Sequence, residues 1–175
     1  MKKSIYKTNW QKITKKSFLP LIPFITQIGF NIFLYSVGEI NRDEVIYVNL
    51  LLGVISIPGL LILTNYLFNS LNTTVIIEYN KIRIKNGENS IELDNPQIDK
   101  IDIHTTRAIN RFPWGFLEYY VFRQGEKVIA FNNLTLEIGD LWQDSLSRRI
   151  KNENIEFKYS WYPLMKKSLT KPKPY

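Results

Sequence analysis

Two long stretches without a single charged side chain constrain this chain more than anything else in it. They run from Ser17 to Gly38 and from Val45 to Ile77, with the short acidic segment 39–44 (EINRDE) between them. A helix on a soluble protein carries a polar face, so an uncharged run of this length belongs in lipid or in a very large core. A chain of 175 residues has little room for two such core helices. The pattern therefore predicts a transmembrane helical hairpin over 17–70, with helices at about 18–37 and 45–68. A signal peptide ending at Ser36-Val37-Gly38 fits less well, because the apolar stretch is longer than an ordinary signal core and a second run follows it.

Charge orients the hairpin. Residues 1–16 hold six Lys and no acid, whereas 39–44 hold three acids and one Arg. Residues 69–150 are close to neutral, and the excess of basic residues returns after residue 150. The formal net charge of +7 thus sits at the two ends of the chain. A nucleic-acid binder carries its basic surface on the folded domain, so no nucleic-acid partner is expected. Lys-rich flanks face the cytoplasm and its anionic lipid. The expectation is an integral protein of the cytoplasmic (inner) membrane, with both termini cytoplasmic and 1–16 a basic amphipathic leader with Trp10 at the interface.

Within the hairpin, Gln27, Asn31 and Tyr35 recur on one face of the first helix. Uncharged polar groups in lipid seek partners, and folding the hairpin about residue 41 or 42 sets Gln27 level with Ser56 and Asn31 near Gly53. These four are the expected helix-pairing residues. Pro20 and Pro23 fall in the first turns of the first helix, where a missing N–H matters least. Pro58-Gly59 kinks the second.

After residue 72 the periodicity changes to alternation. Residues 75–79 (VIIEY) and 81–85 (KIRIK) read as strands, Asn86-Gly87 is a strong two-residue hairpin signal, and Ser90–Leu93 pairs back. Ile98–Thr105, Phe116–Arg123 and Glu126–Phe131 are further strands, the last two joined at Gln124-Gly125. An amphipathic helix is expected at about 140–151, with Ile138, Leu141, Trp142, Leu146 and Ile150 on one stripe.

This order of elements resembles the bacterial membrane-anchored PH-like (pleckstrin-homology-like) family. The likeness rests on 74–85 (TVIIEYNKIRIK), on the spacing of Ile91, Leu93, Ile98, Ile101 and Ile103, and on 146–150 (LSRRI), besides the hairpin itself. It implies an α+β membrane protein with an antiparallel PH-like split β-barrel over 71–162, closed by one helix. It implies binding or scaffolding at the membrane and carries over no catalytic residue. The chain departs from that pattern at 154–161, whose strict alternation reads as an added strand or as an interfacial segment with aromatic anchors. Residues 163–175 read as a basic tail.

Candidate chemistry is sparse. With no cysteine and one histidine, thiol catalysis, disulfides and His- or Cys-rich metal sites are excluded. His104 stands alone. Glu92, Asp94, Asp99 and Asp102 have no calcium-loop spacing, and Ser145 and Ser147 lack a nucleophile elbow. No enzyme, cofactor or metal is expected. The candidate contacts for lipid or partner are the basic strand face Lys81, Arg83, Lys85 and the loop 107–115 (RAINRFPWG), with Arg107, Arg111, Phe112 and Trp114. Solvation of the first, and burial of the second's aromatic rings, are the competing readings. The expected role is a membrane-anchored module that binds a protein partner or acidic lipid, with homo-oligomers possible. The rivals are a membrane-resident immunity or antagonist protein and an accessory subunit of a transport or secretion complex.

Overall fold

The computed structural model describes residues 3–38, 42–78, 80–94, 97–106, 117–143, 154–165 and 169–170. It opens with a strand. β1 (Ser4–Lys7) pairs antiparallel with β2 (Thr73–Glu78), Tyr6 standing opposite Val75. Four residues read as part of a leader are thus the first strand of a sheet. Only Tyr6 packs inward against the main core, too short an alternation to stand out among six lysines.

α1 (Trp10–Val37) and α2 (Arg42–Ser70) form the hairpin. α1 starts earlier than the charge pattern indicated, because Asn9 caps it: its Oδ1 accepts from the Gln11 N–H at 2.9 Å. The helix therefore runs through Lys12, Lys15 and Lys16, and Pro20 and Pro23 fall in its interior, both buried. It ends at Gly38, whose φ of 74° is the left-handed conformation that glycine adopts at least cost. α2 continues to Ser70 with Pro58 inside it. Among the described residues, these two helices are long and apolar enough to cross a membrane.

β2, β3 (Lys81–Asn86) and β4 (Asn89–Asp94) complete an antiparallel sheet in the order β1-β2-β3-β4. β3 and β4 turn over Gly87-Glu88, where Gly87 takes φ 59°. The second sheet has the order β8-β5-β6-β7-β9, from β5 (Lys100–Thr105), β6 (Tyr119–Gln124), β7 (Lys127–Asn132), β8 (Ile155–Tyr159) and β9 (Leu169–Thr170). It is mixed, because β8 runs parallel to β5 with Ile103 opposite Phe157. The alternating stretch after residue 153 is therefore a strand, and part of the tail returns to pair with β7.

The sheets enclose one apolar core: Ile82, Ile84 and Leu93 from the first face Ile101, Ile103, Phe122 and Phe131 from the second. Phe122 and Phe131 stack with ring centroids 5.3 Å apart. Among the described residues the strands form two separate sheets and do not close into a barrel. The closing helix is described as α3 (Ile138–Gln143), and Ile138 packs on the core. The rest of the expected helix lies outside the described residues.

Candidate functional site

The alternation of β3 places Lys81, Arg83 and Lys85 together on the outer face of the first sheet, and β4 sets Glu92 opposite Arg83. Glu92 takes both neighbours: Lys81 Nζ approaches Oε1 at 2.5 Å, and Arg83 Nε donates to Oε2 at 2.7 Å. The hydrogen bonds from Lys81, and next from Arg83, hold the Glu92 carboxyl below its ordinary pKa. The same bonds raise the pKa values of Lys81 and Arg83. Lys85 is exposed and has no ionic partner among the described residues. The strand face is thus cationic, but one acid on the same face pairs with two of its three charges. Arg107, Arg111, Phe112 and Trp114 lie outside the described residues. Thr106 and Leu117, on either side of that stretch, are buried.

The four acids singled out in the sequence do not converge. Asp99 accepts the Gly125 N–H at 2.6 Å, Asp94 ends β4, and Glu92 serves β3. Asp102 enters a second charged cluster, on the outer face of the second sheet. It is fully buried and meets Lys158 Nζ at 3.1 Å, Arg123 Nε at 3.3 Å and Lys100 Nζ at 3.6 Å. Burial would raise its pKa, but the bonds from Lys158 and Arg123 more than offset this and hold it below the ordinary value. Lys100 also pairs with Glu156, so two crossed ion pairs tie β8 to β5. Next to them His104 stacks on Tyr119, with centroids 4.2 Å apart. Burial lowers the His104 pKa. The cluster draws on three strands, one of them distant in sequence, and no local spacing announces it.

In the hairpin, Ser56 Oγ donates to Gln27 Oε1 at 3.0 Å. Asn31 pairs instead with Asn49: its Nδ2 donates to Asn49 Oδ1 at 2.7 Å, and Asn49 Nδ2 returns a bond to Asn31 Oδ1 at 2.9 Å. Gln27 Nε2 also reaches Asn49 Oδ1 at 3.2 Å. Gly53 makes none of these bonds. Asn49 is the centre of the network and was missed. Its signal is a lone amide in the first turns of the second apolar run, within reach if the hairpin folds a residue or two earlier.

The domain end of the hairpin is bolted to the sheets. Ile62, Leu63 and Tyr66 of α2 pack with Leu117 and Leu134 in a second buried cluster, joined by Leu21 of α1 and by Tyr119. Tyr66 Oη donates to the Pro163 carbonyl at 2.9 Å, and Asn132 Nδ2 donates to the Tyr66 carbonyl at 2.9 Å. The Asn65 amide bonds both backbone groups of Met165, each at 2.9 Å. On the α1 side Lys12 meets Asp140 at 3.1 Å and Lys16 meets Glu137 at 3.5 Å. Thr8 Oγ1 donates to the Ser70 carbonyl at 2.7 Å, so the hairpin leaves and re-enters the sheet at neighbouring points.

Two packed sheets, the first interrupted after one strand by a helical hairpin, and a helix following the last antiparallel pair define a small β domain built around its insertion. The chain belongs to the PH domain family: the family's model, described as a PH domain, matches residues 5–143. That match begins within β1 and ends with α3, so it takes in the hairpin, the first sheet and β5–β7 of the second, and leaves β8 and β9 beyond it. No curated protein and no solved structure matches the chain. PH domains are in general binding modules without catalysis, and a binding or scaffold role is what the family suggests here.

Proposed function

We propose that this protein is a membrane-anchored, non-enzymatic scaffold that holds a cytoplasmic PH-like domain against the inner membrane to bind a protein partner or acidic lipid. One observation carries the anchoring: the outside of the hairpin is apolar and uncovered. Phe33 is 61% exposed, Leu51 65% and Val54 71%, along helices of 28 and 29 residues. Water around so continuous an apolar surface is costly, at roughly 25 cal/mol per Å², and lipid removes the cost.

Topology follows from pairing. β1 precedes the hairpin and β2 follows it, and the two are hydrogen-bonded, so both ends of the hairpin lie on one side of any membrane it crosses. The Lys-rich stretch 1–16, which runs into the first turns of α1, and the acidic segment 39–44 favour the cytoplasm for that side. The binding function rests on the family and on the exposed basic face around Lys85. The test is alkaline carbonate extraction of membranes from cells making the full chain, combined with reporters fused after Tyr175. The protein stays in the pellet and only the cytoplasmically active reporter works. Release into the carbonate supernatant, or activity of a periplasmic reporter, overturns the proposal.

A further inference from the structure

After β8 the chain does not leave the molecule. Ser160 N–H extends the ladder to the Thr105 carbonyl at 3.1 Å, and the next residues cross between α2 and the outer face of the second sheet. Pro163 is buried, and Met165, 2% exposed, packs with Val121 and Ala130. The side chains between and before them are turned outward: Trp161 is 66% exposed, Tyr162 52% and Leu164 45%. This short strap alternates buried anchors with large uncovered groups, two of them amphipathic rings.

Its height on the hairpin is set by hydrogen bonds. Asn65 and Tyr66 hold the strap, and Tyr66 shares its buried cluster with Leu21. In α1, Leu21 lies just past Lys15 and Lys16, where the charge-free run begins. That transition marks the boundary between headgroups and hydrocarbon, the level at which Trp and Tyr concentrate because one part of the ring is apolar and another hydrogen-bonds.

We infer that Trp161, Tyr162 and Leu164 form a second membrane contact, a foot inserted into the headgroup–acyl boundary of the leaflet from which the hairpin enters. It rests on the anchoring proposed above and adds to it: the domain lies against the bilayer through its own C-terminal strap. The occupant is lipid because the strap is continuous with the hairpin at interfacial height. Its outward groups are apolar and aromatic, with no charge among 160–165 for a charged partner surface to read.

The absence of native cysteine allows a clean test. Full-length Trp161→Cys, Tyr162→Cys, Leu51→Cys and Lys127→Cys proteins, the last labelled at the exposed start of β7, each carry an environment-sensitive fluorophore and are reconstituted in vesicles of phosphatidylcholine and phosphatidylglycerol. Nitroxides are carried on lipids either near the headgroup or near the chain end. The labels at 161 and 162 are expected to lose fluorescence to the shallow nitroxide more than to the deep one, that at 51 to the deep one, and that at 127 to neither. If 51 is quenched while 161 and 162 are not, the foot is overturned and the anchor stands. If 51 is not quenched, both fall. Trp161 and Tyr162 are both exposed, and each position checks the other.

Discussion

Tyr66 decides whether the hairpin is a passive tether or part of the domain. Its side chain is fully buried although it stands on a helix long enough to cross a membrane. It packs with Leu117 and Leu134 from the sheet side and meets Tyr119 edge-on at 6.4 Å. Tyr66→Ala empties that volume, at about 3–5 kcal/mol for a large aromatic side chain. It also removes the donor from the Pro163 carbonyl, worth a further ~1 kcal/mol or more if no water replaces it. Against a total stability of roughly 5–15 kcal/mol, such a loss opens the junction in a measurable fraction of molecules. Tyr66→Phe keeps the volume and loses only the hydroxyl bond, about 1–2 kcal/mol. Hydrogen exchange on the full chain in nanodiscs reads the result. In Tyr66→Ala the amides of 160–165, β6 and β7 exchange faster while the middle of α2 stays protected, and Tyr66→Phe gives a smaller change confined to the strap. Unchanged protection of the strap and second sheet in Tyr66→Ala would falsify the argument that helix and sheet share one core.

Two further perturbations address the other clusters. Asp102→Asn removes the charge to which Lys158 and Arg123 bond. Both cations are partly exposed and can rehydrate, so the expected cost is about 1–2 kcal/mol, seen as faster exchange in β8. Because the folded-state pKa of Asp102 is lowered, this stabilisation is present above the unfolded carboxyl value near ~3.9 and is lost as pH falls through the folded value. The two proteins should therefore converge in acid, and a difference that persists or grows there would contradict the assignment. Asn49→Leu breaks the bonds to Gln27 and Asn31 and should lower hairpin stability by about 1–2 kcal/mol, read as an earlier midpoint in a detergent-denaturation titration. A midpoint that holds or rises would mean that apolar packing alone pairs the helices.

Features carried by many consecutive residues were legible before the structure. Absence of charge over more than twenty positions has few meanings, and the alternation of β3 before a glycine turn has few as well, although the turn falls on Gly87-Glu88, one residue beyond the expected Asn86-Gly87. What escaped depends on partners far apart in sequence. β1 offers one inward side chain and finds its mate almost seventy residues later, at Val75. Asp102 looked like one acid among four, because Lys158 reaches it only after β8 has laid itself parallel to β5. Pro163 and Met165 looked like the start of a tail, since nothing around them shows that Asn65 and Tyr66 hold that segment in place. For the hairpin network the chemistry was readable and the register was not: Gln27 and Ser56 meet, while Asn31 finds Asn49 and bypasses Gly53.

The position of the insertion has a mechanical consequence. β1 ends at Lys7 and α1 begins at Trp10; α2 ends at Ser70 and β2 begins at Thr73. Neither connection leaves room for the flexible linker that would let a domain sample orientations above a membrane. The ion pairs of Lys12 and Lys16 and the bonds of Asn65 and Tyr66 add constraints on both helices. The outward normal of each sheet is therefore set relative to the helix axes, and in the proposed scaffold the Lys81–Lys85 face would be offered in one fixed attitude. A partner on this surface loses less orientational freedom to the scaffold than it would on a swinging domain, because that cost was met on folding. Under the proposed binding role, selectivity would depend on the angle between hairpin and sheet as well as on side chains. Mutations at the junction, remote from any contact with a partner, should consequently weaken binding as surely as mutations on the face itself.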